Sequence, residues 1–287
     1  MRKKRTALLL LLPFLGVTAL ALAACAAVLI QSLGYVPAFG LTTLTLRYYR
    51  EALAQSELQS ALWVSLRIAF VSAVLAAALG TALCAALLRR RSSGALYLIR
   101  LPILVPHTVA ALGAVLLLSQ TGLLARCAAA LGLIADSAAF PQLLYTPGYE
   151  GAILTYLWKE VPFVGYFCLA LMASVSETLG EAAENLGAPP LRSFLTVTLP
   201  LTLPAVSRAF LIIFLFAFGG YELPFLLGAT LPKALPVYAA LRYQSPDLKQ
   251  RPLAMAIFSL ILLLSVAMAA LYSLLTRRLL EKLGGAR

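Results

Sequence analysis

Residues Glu181–Pro204 read EAAENLGAPPLRSFLTVTLPLTLP. The stretch lies between two long apolar segments, yet it carries charge and is punctuated by Gly187, Pro189, Pro190, Pro200 and Pro204. A bare tether between membrane spans needs no such local instruction. Gly187 suits a left-handed residue that ends a helix and turns the chain. Pro190 suits the first turn of a new helix, where a missing N–H costs nothing. The pattern predicts a short helix, a turn and a second short helix at the membrane surface. Pro200 and Pro204 are expected to break that second helix and lead into the next span.

Working outward, the 287-residue chain is 62% hydrophobic and only 12% charged, with a mean hydropathy of +0.92. Those values exclude an ordinary soluble domain and indicate an all-α polytopic membrane protein. Six apolar segments reach the roughly 20 residues that a bilayer core requires. They are Ala7–Ile30, Ala61–Leu88, Ile103–Leu124, Gly151–Val175, Ala205–Leu227 and Leu253–Leu275. The first begins like a signal peptide, but its apolar run exceeds the usual core of about 7–15 residues and reads as a retained span. Cleavage near Ala24 is the alternative. The second span carries Ser72, Ala76, Gly80 and Cys84 at a spacing of four, which lines small residues on one face and predicts close helix packing.

The net charge of +12 does not indicate nucleic acid, because no basic stripe with interleaved aromatics exists. The basic residues gather instead at the ends of apolar runs. With the N-terminus inside, the cytoplasmic parts hold Arg2, Lys3, Lys4, Arg5, Arg89, Arg90, Arg91, Arg100, Arg192, Arg277, Arg278, Lys282 and Arg287. The outside holds fewer: Arg47, Arg50, Arg126, Lys233, Arg242, Lys249 and Arg251. This bias places both termini and Glu181–Pro204 in the cytoplasm.

Several chemistries lack their residues. No lysine is followed by Ser or Thr, so no phosphate-binding loop of the GxxxxGK[ST] type exists. There is one histidine, His107, and no GxSxG motif. Cys25, Cys84, Cys127 and Cys168 form no CxxC pair, and no metal site or cofactor is expected. The chain is expected not to be an enzyme.

The loop also resembles a known pattern. Glu181-Ala182-Ala183, three residues, Gly187, nine residues, then Val197-x-Leu199-Pro200 is similar to the EAA loop of binding-protein-dependent ABC importer permeases. Val197 replaces the usual Ile, Asn185 stands where an Asp is common, and Pro189-Pro190 follow the glycine where at most one proline is usual. Leu157–Phe163 and Ala61–Leu66 resemble flanking parts of such permeases, so the likeness covers most of the chain. Phe218–Pro224 resembles the spermidine/putrescine-type branch.

The resemblance implies a type I importer permease fold, with residues 1–56 as an N-terminal span and external segment. Residues 57–287 would form the core, with the coupling loop at 176–204. It implies a second permease subunit, homologous or identical, a cytoplasmic ATP-binding subunit and an extracytoplasmic solute-binding protein. ATP would be bound by the partner chain. Glu181, Ala182, Ala183, Gly187, Arg192, Phe194, Leu199 and Pro200 are the expected coupling residues. Glu181 is expected to fix the loop, Ala182 and Ala183 to allow close packing, and Phe194 beside Arg192 to be the docking knob.

Charges inside spans cost roughly 2.5–3.5 kcal/mol each and need partners or water. Lys159 and Glu160 in the fourth span, with Tyr221 and Glu222 in the fifth, are therefore the candidate solute pathway. Pro224 is the expected kink behind them. Adjacent residues diverge by about 100° on a helix, so Lys159 and Glu160 must point apart. A buried structural ion pair is the alternative role for these charges, and His107 is expected to be a hydrogen-bonded packing residue. A secondary transporter or channel working without ATP is the competing class. It would leave the spacing of Glu181–Pro204 unexplained.

Overall fold

The computed structural model describes residues 2–90 and 93–284. Thirteen α-helices occur among them: α1 Arg2–Ser32, α2 Arg47–Leu53, α3 Ser56–Arg90, α4 Ser93–Leu104, α5 His107–Leu118, α6 Leu123–Ala130 and α7 Glu150–Val175, followed by α8 Glu181–Asn185, α9 Pro190–Ser193, α10 Leu199–Phe218, α11 Glu222–Leu227, α12 Leu235–Tyr243 and α13 Arg251–Gly284. Six helical stretches are long and apolar enough to cross a membrane. They are Leu11–Ser32, Ser56–Arg89, His107–Ala130, Glu150–Asn185, Pro190–Phe218 and Leu248–Arg278. The expected six-span, all-α architecture is present.

Several boundaries differ from the sequence expectation, two of them where the chain breaks locally. The third span begins at His107, because Ile103 and Leu104 close the separate helix α4 and Pro106 caps α5 with an extended ψ of 148°. The fifth span ends at Phe218, because Gly219 and Gly220 interrupt the helix and α11 starts afresh at Glu222. The break therefore lies at the double glycine, while Pro224 sits inside the short helix α11. A Cβ on Gly220 would stand 2.2 Å from the Tyr156 hydroxyl, so only glycine admits this approach.

The prolines after the loop also act differently from expectation. Neither breaks the helix: Pro200 lies in the first turn of α10 and Pro204 within it. A wide π turn over Phe194–Thr198 precedes them, closed by the Leu199 N–H on the Phe194 carbonyl. Pro200 follows that loosened turn, where the loss of an N–H donor is tolerated.

The chain forms two compact units. One comprises the residues up to Gln59 with Tyr238–Leu264. Within it the Tyr49 hydroxyl, on α2, bonds the Ser32 and Ser259 hydroxyls, each at 2.6 Å. The segment Leu41–Gln59 is helical at Arg47–Leu53, before α3 begins at Ser56.

The other unit comprises Ser60–Val237 and the chain from Ser265 onward. Its core is α7 packed between α3 and α10: Ala73, Ala76 and Cys84 meet Val164, Cys168 and Met172, and these meet Ala209 and Ile213. The small-residue stripe of α3 is buried as expected, with Ser72, Ala76 and Cys84 all at 0% exposure. A Cβ on Gly80 would lie 2.5 Å from the Val164 Cβ, so the two backbones meet closer than any side chain allows. At the opposite end from the loop, Tyr149 donates to the Pro232 carbonyl at 2.9 Å and accepts from the Ala234 N–H at 3.1 Å. Burial there pushes its phenol above the usual range.

Candidate functional site

Two features of the second unit carry the candidate residues. The first is the loop. The α8 helix ends on Gly187, whose φ of +95° is left-handed. Its N–H reaches the Glu184 carbonyl at 2.9 Å, and the Ala188 N–H reaches back to Ala183 at 3.0 Å. This is a Schellman turn, which satisfies carbonyls that a helix end leaves open. Pro189 caps α9 and Pro190 opens it, as the spacing predicts. The double proline is therefore built into the turn.

Two π turns brace the loop at its roots, Ser176–Gly180 and Phe194–Thr198. They face one another: the Ser193 hydroxyl donates to the Gly180 carbonyl at 3.0 Å. A Cβ on Gly180 would stand 3.4 Å from the hydroxyls of Ser176 and Thr198. Ser193 and Thr198 are buried, so the two arms close on a small polar seam.

The exposed face of the loop is not the one expected. Phe194 is half-buried and packs against the core that contains Val164 and Cys168. It lines a cleft with Ala85, Leu88, Arg89 and Leu191. The outward apolar residues are Leu186 at 90% exposure, Leu191 at 63% and Leu195 at 51%. Leu186 was missed from sequence, although its place just before the turn glycine marks it as the last residue of a helix end. Glu181, Ala182 and Arg192 are exposed, Ala183 and Leu199 are half-buried, and Pro200 is exposed.

The second feature is a polar cluster among α4, α5, α7, α10 and α11. Lys159 and Glu160 are buried and point apart, as helix geometry requires. The Lys159 ammonium donates to the carbonyls of Pro102, at 3.0 Å, and Val105. It thus closes the C-terminal end of α4, where a cation is favoured. Glu160 turns the other way, its Oε1 3.5 Å from the His107 Nε2. His107 packs on Phe216, with ring centroids 4.9 Å apart, but its Nε2 has no hydrogen-bond partner among the described residues. It packs on a ring as expected, and the expected hydrogen bond is not made at Nε2.

Two cavities share His107 and Phe216. One, of about 200 Å³, is also lined by Lys159, Glu160 and Phe163. The other, of about 500 Å³, is lined by Tyr156, Gly220, Tyr221 and Glu222. Tyr221 and Glu222 therefore border the same cavity, with Tyr221 stacked on Phe225 at 5.0 Å. The structure brings Glu160 and Glu222 to adjoining cavities and leaves Lys159 committed to α4. Tyr156 and Phe216 escaped the sequence reading. Tyr156 lies one helical turn before Glu160, a spacing that places both on one face of α7.

Comparison with known proteins bears on both features. The model of the family described as "Binding-protein-dependent transport system inner membrane component" matches residues 79–281. The putrescine transport system permease protein PotI of Escherichia coli (strain K12) is 29% identical over 178 residues, which is 58% of this chain and 56% of that protein. The molybdenum transport system permease protein ModB of Haemophilus influenzae is 29% identical over 141 residues, 47% of this chain and 60% of that one. The aligned part thus spans little more than half the length of these relatives. In fold, the chain is similar to a bacterial ABC transporter involved in the import of the acidic polysaccharide alginate. The TM-score is 0.76 at 18% identity, covering 96% of each chain.

Proposed function

This chain belongs to the family of binding-protein-dependent transport system inner membrane components, and from that premise we propose that it is the permease subunit of an ATP-driven importer. It forms a solute pathway with a second permease subunit and receives force from a cytoplasmic ATPase through Glu181–Pro204. An extracytoplasmic binding protein delivers the solute, and ATP is hydrolysed on the partner chain. Both termini lie in the cytoplasm.

The observation that carries this reading is the loop's construction. A glycine-closed turn and two facing π turns hold Leu186, Leu191 and Leu195 outward at one end of the bundle. A rigid apolar projection of this kind suits insertion into a cleft on a partner, where a few desolvated side chains dominate binding. Arg192 on the same exposed surface adds a charge for orientation. Glu181 and Gly187 hold the shape of the loop. Phe194 anchors it to the core.

The pathway runs past Tyr221, Glu222, Tyr156 and Glu160. A cationic solute of the di- or polyamine class fits this lining best. When ionised, its carboxylates only accept hydrogen bonds, and the nearby ammonium of Lys159 is turned to the α4 carbonyls. The likeness to a putrescine permease supports that class over an oxyanion.

The test is assembly followed by uptake. Leu191→Asp should abolish co-purification of the ATPase while the permease remains folded. Retained ATPase binding and ATP-dependent uptake would overturn the coupling role.

A further inference from the structure

The helix α3 is longer than a membrane needs. Its membrane-crossing stretch Ser56–Arg89 has 34 residues, against the roughly 20 that span a bilayer core. Arg67 stands inside that stretch, exposed, and makes no hydrogen bond, ion pair or ring contact with another described residue. A guanidinium in an apolar span needs a counter-charge or water.

Two independent observations fix its depth. From Ile68 to Leu88 the helix carries no charge, and Arg89 follows. At about 1.5 Å per residue that run measures roughly 32 Å, close to a hydrocarbon core of about 30 Å. Arg67 and Arg89 therefore stand at its two borders. The second observation is the Ser65 hydroxyl, which accepts from the Leu235 N–H at 2.7 Å. Leu235 directly follows the Pro232–Ala234 segment that Tyr149 holds at the end opposite the loop. Ser65 thus meets the connection between the fifth and sixth spans, and Arg67 lies only about half a turn below it. Trp63, one turn above Arg67, is exposed, and tryptophan favours the border between membrane and water.

The residues around the charge select the occupant. Trp63, Arg67, Phe70 and Val74 follow one another at helical spacing and form one exposed stripe. Close helix contacts in a membrane use small residues. The small stripe of α3, Ser72, Ala76, Gly80 and Cys84, is already spent inside the bundle. The bulky stripe suits acyl chains instead. The forked guanidinium matches phosphate oxygens. A zwitterionic headgroup brings its own cation, whereas an anionic one leaves net charge for Arg67 to balance.

We propose that the exposed Trp63–Arg67 face of α3 binds the phosphate of an anionic phospholipid in the leaflet opposite the Glu181–Pro204 loop. One acyl chain runs along Phe70 and Val74 toward the membrane centre, and Trp63 lies beside the headgroup. The part of α3 before Arg67, with Glu57, projects beyond the hydrocarbon. This site is distinct from the solute pathway and does not rest on the importer reading.

The experiment uses the full-length permease with Trp158→Phe, which leaves Trp63 as the only tryptophan. It is reconstituted in phosphatidylcholine vesicles holding a fixed fraction of brominated phosphatidylglycerol or brominated phosphatidylcholine. Trp63 fluorescence is the readout, because bromine quenches only near contact. Brominated phosphatidylglycerol should quench about fivefold more effectively, as expected for one basic residue near a membrane surface. Arg67→Gln should bring the two lipids close to equality, and Arg67→Lys should keep most of the preference. Bromines near the headgroup should quench more than bromines near the chain ends. Equal quenching by the two lipids, or a preference unchanged in Arg67→Gln, overturns the proposal. So does quenching that is strongest from the chain ends, which would put Arg67 near the bilayer centre. Quenching by neither lipid would show that protein covers this face, and loss of the preference in millimolar inorganic phosphate would give the charge to a soluble anion; either result refutes the lipid site. Should the Arg67 variants fail to fold, the lipid and depth comparisons on the Trp158→Phe protein still decide. Should Trp158→Phe fail, the same quenching is read as the part of the wild-type signal that Trp63→Phe removes.

Discussion

The Lys159 ammonium on α7 donates to the Pro102 carbonyl on α4 at 3.0 Å, so a buried charge in one helix closes the end of another. This bond joins a 12-residue helix to the central helix of the bundle. Lys159→Met keeps the aliphatic stem and removes the donor. Two buried or part-buried carbonyls then lose a charged partner, a loss worth ~1.5–3 kcal/mol for a hydrogen bond to a charged group. The expected outcome is a lower unfolding temperature of the detergent-solubilised protein, read by thermal scanning. Lys159→Arg should recover part of the loss.

The approach of α3 to α7 at Gly80 makes a second prediction. A Cβ there would be 2.5 Å from the Val164 Cβ and 2.8 Å from the Val161 carbonyl. Backbone cannot yield as a flexible side chain does. Gly80→Val should destabilise by at least the ~1–3 kcal/mol typical of overpacking. Combining it with Val164→Ala should relieve only the 2.9 Å contact to the Val164 Cγ1, because alanine keeps the Cβ. Yield of folded monodisperse protein is the measurement, and a normal yield for Gly80→Val alone would contradict the packing.

Much of this architecture is legible in the sequence, and the exceptions have physical causes. The apolar runs locate six spans because lipid leaves the chain few other options. Gly187 and Pro190 announce the turn because their backbone restrictions are local. The side that Phe194 faces is not local information: Leu191, Phe194 and Leu195 share one face by spacing, and only the position of the core decides which residue turns inward. The break at Gly219-Gly220 depends on the Tyr156 hydroxyl, which lies far away in sequence. Pro200 and Pro204 look like helix breakers because nothing in the sequence reports the π turn that accommodates the chain before them.

That inversion of the loop separates two variants that sequence alone would treat alike. Phe194→Ala removes a half-buried ring from the core and should cost ~1–3 kcal/mol, less than the roughly 3–5 kcal/mol of a fully buried phenylalanine. Leu191→Asp changes an exposed side chain and should leave stability within about 0.5 kcal/mol. Thermal unfolding of the isolated permease should therefore respond to Phe194→Ala, and ATPase co-purification to Leu191→Asp. The opposite assignment would show that the loop docks through Phe194.

The pathway reading separates Glu160 from Glu222. Glu160 is buried with His107 at 3.5 Å, whereas Glu222 is exposed to its cavity beside Tyr221. Glu222→Gln removes a charge that a cationic solute would meet first, at little structural cost. Uptake of a diamine should fall severalfold with ATPase binding and thermal stability unchanged. Glu160→Gln removes the carboxylate whose Oε1 lies 3.5 Å from the His107 Nε2. It should lower uptake as well and, because Glu160 is buried, should also lower thermal stability. Transport assays in proteoliposomes and thermal scans, with both variants and the wild type, are the check. Wild-type diamine uptake by Glu222→Gln would remove Glu222 from the pathway, and wild-type uptake by Glu160→Gln would remove Glu160 from it.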